Sequence, residues 1–256
     1  MKWWKTLTGR AFQLIFVWAA QLLLPQPANA EDGGIDLFSA ETLSVTGDFR
    51  LRAADGEPSW VEGGFGKLRY GGSDDGDLQV KPELAEAALV WQPRFTWSLA
   101  GTVVMVAQGA RRTEAGLSEA YLSFKPLSDA PVRLSGRAGL MWPPVSLEHG
   151  GPEWAVIDTI TPSAINSWIG EEVKVLGLGV TGKARLGEHD VSATVAAFDL
   201  NDTAATLLSF RGWTLHDRKT LAFRRMPLPR QNETFTLSQA PFTTPILDLD
   251  PGLARA

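Results

Sequence analysis

Hydrophobic and polar residues alternate along much of this chain with a period of two, the pattern of β-strands that have one apolar and one polar face. In the stretch 132–141, for example, Val132 and Leu134 share one face, and Arg133 lies on the opposite face. The chain is therefore expected to be all-β. Seven strands are predicted, near residues 43–53, 83–91, 94–107, 117–125, 132–141, 172–186 and 190–200.

The predicted strands are long for a soluble protein. Strands in globular proteins most often have about 5–6 residues, whereas a tilted strand needs about 9–11 residues to cross a bilayer. A soluble β-sandwich also alternates, but its polar face contacts solvent and is usually rich in Lys, Glu and Thr. Here the polar faces hold isolated Arg and Lys among Gly, Ser and Thr. This pattern favours a transmembrane antiparallel β-barrel with lipid outside and water inside.

The connections between the predicted strands alternate in length, which agrees with a barrel that has short periplasmic turns and longer extracellular loops. If the strands run up and down in turn from a periplasmic N-terminus, the region after the seventh strand is a long extracellular loop over 201–250. The long connections are 55–81, 108–116 and 142–171, and the short ones are 92–93, 126–131 and 187–190.

Residues 1–30 have the features of a cleavable secretory signal. A basic start precedes the apolar stretch 11–24, and Ala28 and Ala30 supply the small residues of a cleavage site. The alternative is a retained membrane anchor, but the apolar stretch is shorter than the ~20 residues of a spanning helix. We therefore expect cleavage after Ala30, export through the periplasm, and a mature outer-membrane domain over 31–256.

Charge and composition exclude several classes of function. Three of the 24 basic residues and none of the 29 acidic residues precede residue 31, so the mature net charge is 21 − 29 = −8, which argues against a nucleic-acid partner. The chain has no cysteine, and its three histidines, His149, His189 and His216, lack metal-ligand spacing. No catalytic motif is visible. We therefore expect no enzyme activity, no cofactor and no metal.

Six basic residues are predicted to line the lumen. On the lipid side, an Arg or Lys costs about 2–4 kcal/mol at the bilayer midplane, so these side chains indicate which face points inward. A ring of cations would favour anions. The alternative is that these residues pair with Asp48, Glu86, Glu119 or loop acids and only solvate the wall. The six are Arg50, Arg52, Arg133, Arg137, Lys183 and Arg185.

Five aromatic residues near strand ends are candidates for the girdles that barrels carry at both membrane interfaces. Four of them are close to the predicted short turns and would form the periplasmic girdle, whereas Trp142 would mark the outer one. The alternative is core packing in a soluble protein. The candidates are Trp91, Phe95, Trp97, Phe124 and Trp142.

Three stretches resemble a known family. RLSGRAGLMWPPVSLE, residues 133–148, resembles the porins of the phosphate-selective O and P type and their relatives in Gram-negative outer membranes. TPSAINSWIGEEVKVLGL, residues 161–178, and FRGWTLHDRKT, residues 210–220, are similar to loop segments of such porin-like proteins. The resemblance covers residues 40–215 and implies a passive, water-filled channel, usually a homotrimer of sixteen-stranded barrels. Anion or phosphate preference is a property of some members only.

The chain departs from the family pattern in two ways. Seven strands are an odd and small number for a bacterial barrel, and the C-terminal sequence DLDPGLARA lacks a terminal aromatic residue. We therefore expect the N-terminal part of a sixteen-stranded porin, truncated at its C-terminus, that passes small hydrophilic solutes or anions. The alternatives are a secreted or periplasmic β-sandwich that binds a ligand or partner, and a fragment without function.

Overall fold

The computed structural model describes residues 14–19, 35–109, 114–144, 146–149, 152–156, 158–159, 161–169, 174–199 and 214–222. Its main element is one antiparallel sheet whose eight strands follow each other in chain order. The strands are β1 (Leu14–Ala19), β2 (Leu43–Ala54), β3 (Gln79–Trp91), β4 (Leu99–Gln108), β5 (Glu114–Phe124), β6 (Val132–Met141), β7 (Val175–Leu186) and β8 (His189–Asp199). Among the described residues, no pairing between β8 and β1 closes the sheet.

Helical structure in the described ranges is limited to short turns at Trp60–Glu62, Pro152–Trp154 and Ile165–Ile169. None of the described helices is long and apolar enough to cross a membrane. The all-β, antiparallel architecture predicted from the alternation is therefore confirmed.

All seven predicted strands are present, and the largest difference in their bounds is at β4. This strand begins at Leu99 instead of residue 94, because residues 94–98 form a turn. The main-chain N–H of Phe95 donates to the Leu99 carbonyl at 3.0 Å, and the Thr96 hydroxyl accepts from the Leu99 N–H at 3.0 Å. Phe95 and Trp97 consequently lie in the connection between β3 and β4.

β1 lies inside the predicted signal, residues 1–30. It pairs with β2 in register from Leu14 opposite Ala53 to Ala19 opposite Asp48. The export signal stays a prediction, and cleavage after Ala30 would leave β2 as the edge of a seven-stranded sheet. Most of the predicted long loop, 201–250, lies outside the described residues, with the exception of 214–222.

The connection lengths do not alternate strictly. The connection between β4 and β5 covers only 109–113, which is shorter than the neighbouring connections 92–98 and 125–131, because β5 begins three residues before the predicted strand. The longest connections are 55–78 and 142–174, and both lie at the same end of the sheet.

On the first strands, the two faces of the sheet have the reverse of the burial found in soluble sheets, whereas on β8 the side chains of both faces are exposed. Arg52 on the polar face of β2 is 2% exposed, whereas its neighbour Leu51 on the apolar face is 48% exposed. Every strand from β2 to β8 has exposed apolar side chains, although soluble sheets normally bury that face against a core. Examples are Phe49, Leu84, Met105, Leu122, Leu134, Leu178 and Val195.

A β-bulge brings two acidic side chains to the polar face. Opposite β2, Glu86 is in register with Asp48 and Glu83 with Arg50, so Ala85 is the extra residue of β3. A bulge shifts the alternation by one position. Glu83 and Glu86 therefore share a face, although strict alternation would place them on opposite faces.

We predict that Gly139→Ala destabilises the sheet, whereas Gly136→Ala in the same strand does not. Gly139 has φ +135°, and a Cβ there would lie 2.4 Å from the Ala120 carbonyl oxygen; at Gly136 the nearest atom would be 3.6 Å away. A strained backbone conformation costs about 1–3 kcal/mol. Urea unfolding should show that loss for Gly139→Ala. Equal stability of the two variants would contradict the described strain.

Candidate functional site

Residues 214–222, here called the covering segment, cross the polar face of the sheet. Because this segment follows β8 in sequence but contacts the connection after β2 and strands β4 and β5, it runs back over the first half of the sheet. Its polar contacts include the Leu215 N–H to the Lys67 carbonyl at 2.8 Å and the Ala222 N–H to the Leu117 carbonyl at 2.8 Å. The main chain of Lys219 also forms two hydrogen bonds with the Gln108 side chain, at 3.0 and 2.7 Å.

Asp217 is the central anion of the covering segment. Its carboxylate forms ion pairs with Arg50 of β2 and with Arg69 of the connection 55–78. Arg50 also pairs with Asp48 and donates to the Tyr70 hydroxyl at 2.7 Å. The Arg69 guanidinium lies 4.4 Å from the centre of the Tyr70 ring, a cation–π distance. The cluster therefore joins a strand, its following loop and a distant segment.

The charge state of Asp217 follows from these contacts. Burial alone would raise the pKa of its carboxyl group. Arg69 and Arg50 lower this pKa by more than burial raises it, so the pKa lies well below the usual range of an Asp carboxyl group. Burial raises the pKa of the neighbouring Tyr70 to about 12. Asp217 is consequently ionised and Tyr70 protonated across the physiological pH range, which keeps the ion pairs intact.

Arg52 is neutralised separately from Arg50. Its guanidinium pairs with Glu62 in the connection 55–78, with an Nη1–Oε2 distance of 3.2 Å, and its Nε lies 3.5 Å from Glu83 of β3. Both predicted lumen cations of β2 are thus buried and paired with strand and loop acids. These two residues therefore form ion pairs with acids, which was the alternative to unpaired cations that line a lumen.

A second polar cluster holds the rest of the covering segment. Lys219 forms an ion pair with Glu86 of β3 at 2.5 Å, and the buried Lys174 amine donates to the Thr220 carbonyl. Lys174 also lies 5.5 Å from the centre of the Trp142 ring. The segment is therefore held from both sides of the polar face, by β3 and by the residue preceding β7.

An apolar contact lies between the two polar clusters. Leu221 of the covering segment packs in one buried cluster with Ala88, Val90, Val104 and Val106. Sequence reasoning missed these positions, because the run from Val103 to Ala107 is apolar on both faces and gives no alternation there. Apolar side chains on the polar face of β3 and β4 are a local signal that another segment covers this part of the face, since exposed apolar area is costly in water.

The other four predicted lumen cations lie on β6 and β7 and are exposed. Arg133 is directly opposite Lys183 in the register of these strands. The Arg137 guanidinium lies 5.5 Å from the centre of the Tyr121 ring, and Arg185 is opposite Asp190 of β8. The six predicted cations thus form two groups: a buried, paired one on β2 and an exposed one on β6 and β7.

The girdle candidates also differ among themselves. Trp97 and Phe124 are exposed, and Phe95 is half-buried. Trp91 is half-buried and donates its indole N–H to the Leu37 carbonyl at 2.6 Å. Trp142 is only 4% exposed and stacks on Trp154 at 5.4 Å. Its ring therefore does not lie at the exposed surface, where a girdle residue contacts lipid.

The described residues contain no group of three His, Asp or Glu side chains that could hold a metal ion. Comparisons of the chain with protein-family models, with curated proteins and with solved structures find no match. Function must therefore be inferred from the geometry of the sheet and of its polar face.

We predict that Asp217→Asn releases the covering segment. Removing one partner of a buried ion pair costs about 3–5 kcal/mol, because the remaining charges stay desolvated, and here Arg50 and Arg69 would lose their shared anion. Urea unfolding and limited proteolysis should show lower stability and faster cleavage within 214–222. Asp129→Asn, at an exposed position of the connection 125–131, is the matched control and should change neither.

The pH dependence of this loss has a definite sign. A carboxyl group with a lowered folded pKa stabilises the fold above its ordinary pKa of 3.8 and loses this effect as the pH falls towards the folded value. The stability difference between the wild type and Asp217→Asn should therefore be constant from neutral pH to about pH 5 and shrink below about pH 4. A difference that grows with acid would contradict the ion pairs.

Proposed function

We propose that the chain forms part of the wall of an outer-membrane porin, a water-filled channel for the passive diffusion of small hydrophilic solutes. The observation that carries the proposal is the reversed burial of the sheet. Its apolar face is exposed on every strand from β2 to β8, and on β2 to β4 it is the polar face that other segments cover. Lipid satisfies an exposed apolar face, and an aqueous lumen satisfies a polar one.

The energetics of the two faces support this orientation. Burying apolar surface gains about 25 cal/mol per Å², and large side chains such as Phe49 and Val195 remain 53% and 76% exposed. A soluble protein would leave this gain unused over a whole sheet face. A soluble β-sandwich would instead cover the face with a second sheet, and no such sheet occurs in the described part of the chain.

Within the described residues, the edge of the sheet at β8 is unpaired, which means that the proposal must include further strand pairing. Unpaired strand edges do not occur in the hydrocarbon region of a bilayer, because their N–H and C=O groups would lack partners. The free edge of β8 must therefore pair in the assembled channel. Closure to a sixteen-stranded barrel, a homotrimer and insertion into the outer membrane of a Gram-negative bacterium are all elements of this proposal.

The direct test is ion conduction. The full chain, expressed in a Gram-negative host and purified from the outer-membrane fraction, should form stable current steps in planar lipid bilayers. It should also migrate differently on gels before and after heating, as folded barrels do. A detergent-independent, soluble monomer that gives no current would overturn the porin proposal and favour a secreted β-sandwich that binds a ligand or partner.

A matched pair of variants tests which face contacts lipid. Val180 is exposed on the apolar face near the middle of β7, and Thr181 is the next residue, on the polar face. In lipid vesicles, Val180→Arg should lower the free energy of unfolding by about 2–4 kcal/mol, whereas Thr181→Arg should have a much smaller effect. In a soluble sheet, an arginine at the exposed position 180 would change stability by only about 0.5 kcal/mol, which would contradict lipid contact.

A further inference from the structure

We infer that solutes pass along the part of the polar face formed by β6, β7 and β8, and that the opposed cations Arg133 and Lys183 set the charge preference of this path. The inference rests on the proposed porin function. It divides the polar face into a sealed part, on β2 to β5, and a conducting part, which the alternation pattern alone does not distinguish.

The sealed part is defined by the covering segment. It pairs with Arg50 of β2 through Asp217 and with Glu86 of β3 through Lys219. It also forms hydrogen bonds with Gln108 of β4, and its Leu221 packs against the polar face of β3 and β4. With these contacts, the polar face is buried at Arg50 and Arg52 of β2, at Ala88 and Val90 of β3, and at Thr102, Val104, Val106 and Gln108 of β4. A hydrated solute cannot pass between groups that are in direct contact.

On the conducting part, small residues occupy positions of the polar face that correspond to those contacted by the covering segment on the sealed part. The inward positions of β7 include Gly179 and Thr181, because they share a face with Lys183. A Cβ at Gly179 would have its nearest neighbour 3.7 Å away, so this glycine leaves space next to the wall, and the Thr181 hydroxyl lies 2.8 Å from the hydroxyl of Thr194 on β8. Among the described residues, no segment covers these positions, so this part of the face has both room and hydrogen-bonding groups for a hydrated solute.

Arg133 and Lys183 are the charged feature of this path. They are directly opposite each other on β6 and β7, a placement in which like charges repel. Within the described chain, no carboxylate forms an ion pair with either of them, whereas Arg185 has Asp190 opposite it. A solute anion between the two side chains would relieve their repulsion, so we assign them the role of attracting anions.

The location of the path can be tested with introduced thiols, because the chain has no cysteine. Ser135→Cys places a thiol on the proposed path, and Thr102→Cys places one on the sealed part, where Thr102 is buried. A charged methanethiosulfonate reagent added to open channels should reduce the current of Ser135→Cys and leave that of Thr102→Cys unchanged. The opposite pattern would overturn the inference.

The charge preference can be measured separately from the reversal potential in a potassium chloride gradient. Replacing both Arg133 and Lys183 with Gln should lower the chloride-to-potassium permeability ratio by about tenfold, the lower end of the effect of a charged cleft on counter-ion concentration. The matched control is Arg94→Gln in the connection 92–98, where Arg94 pairs with Glu41 at 3.3 Å; it should leave the ratio unchanged.

The failure of this inference is distinguishable from the failure of the porin proposal. If the wild type gives no current, the porin proposal fails. If the wild type conducts and the double variant keeps the wild-type permeability ratio, Arg133 and Lys183 do not set the preference, and the inference fails while the porin proposal stands. A double variant that still gives stable current steps, but with a reduced ratio, would support the inference, because a general loss of folding would abolish the current steps.

Discussion

Charges on the polar face must be paired before another segment can cover them, and the first half of this structure is organised by that requirement. Burying an arginine costs several kcal/mol unless an anion compensates it. Arg50, Arg52 and Arg69 obtain their anions from a strand, from the adjacent loop and from the distant Asp217. The covering segment is therefore a structural partner of β2, because its carboxylate completes a cluster that the strand and loop alone leave incomplete.

The strands could be predicted from the sequence, because the two faces of the sheet meet different environments at every second residue. The bulge at Ala85 was missed, although strict alternation would place Glu83 and Glu86 on opposite faces and so put one charged residue on the apolar face. The start of β4 was also misplaced, because the hydrogen bonds of the turn at residues 94–98 interrupt a stretch that still alternates. The alternation of polar and apolar residues predicts on which face of the sheet a side chain lies. It does not predict which backbone groups form hydrogen bonds with each other.

The candidate site was harder to predict for a related reason. Arg50 and Arg133 occur in the same kind of alternating sequence, yet one is buried and paired and the other is exposed. The difference arises from the covering segment, which is far away in the sequence: Asp217 is 167 residues from Arg50. A local pattern cannot encode a contact over that distance. The apolar side chains of Val104 and Val106 on the inward face were the available local signal.

The location of the apolar contacts also bears on how such a sheet is stabilised. In a soluble β-protein, the apolar face supplies the core. Here that face is exposed, and the apolar cluster that packs on Leu221 lies on the polar face instead. The strand ladder, the buried ion pairs and this small cluster must then hold the described part of the fold together. The lipid environment that we propose would account for this arrangement, because it would remove the apolar face from water without a protein core and leave the polar face for the covering segment and the proposed aqueous path.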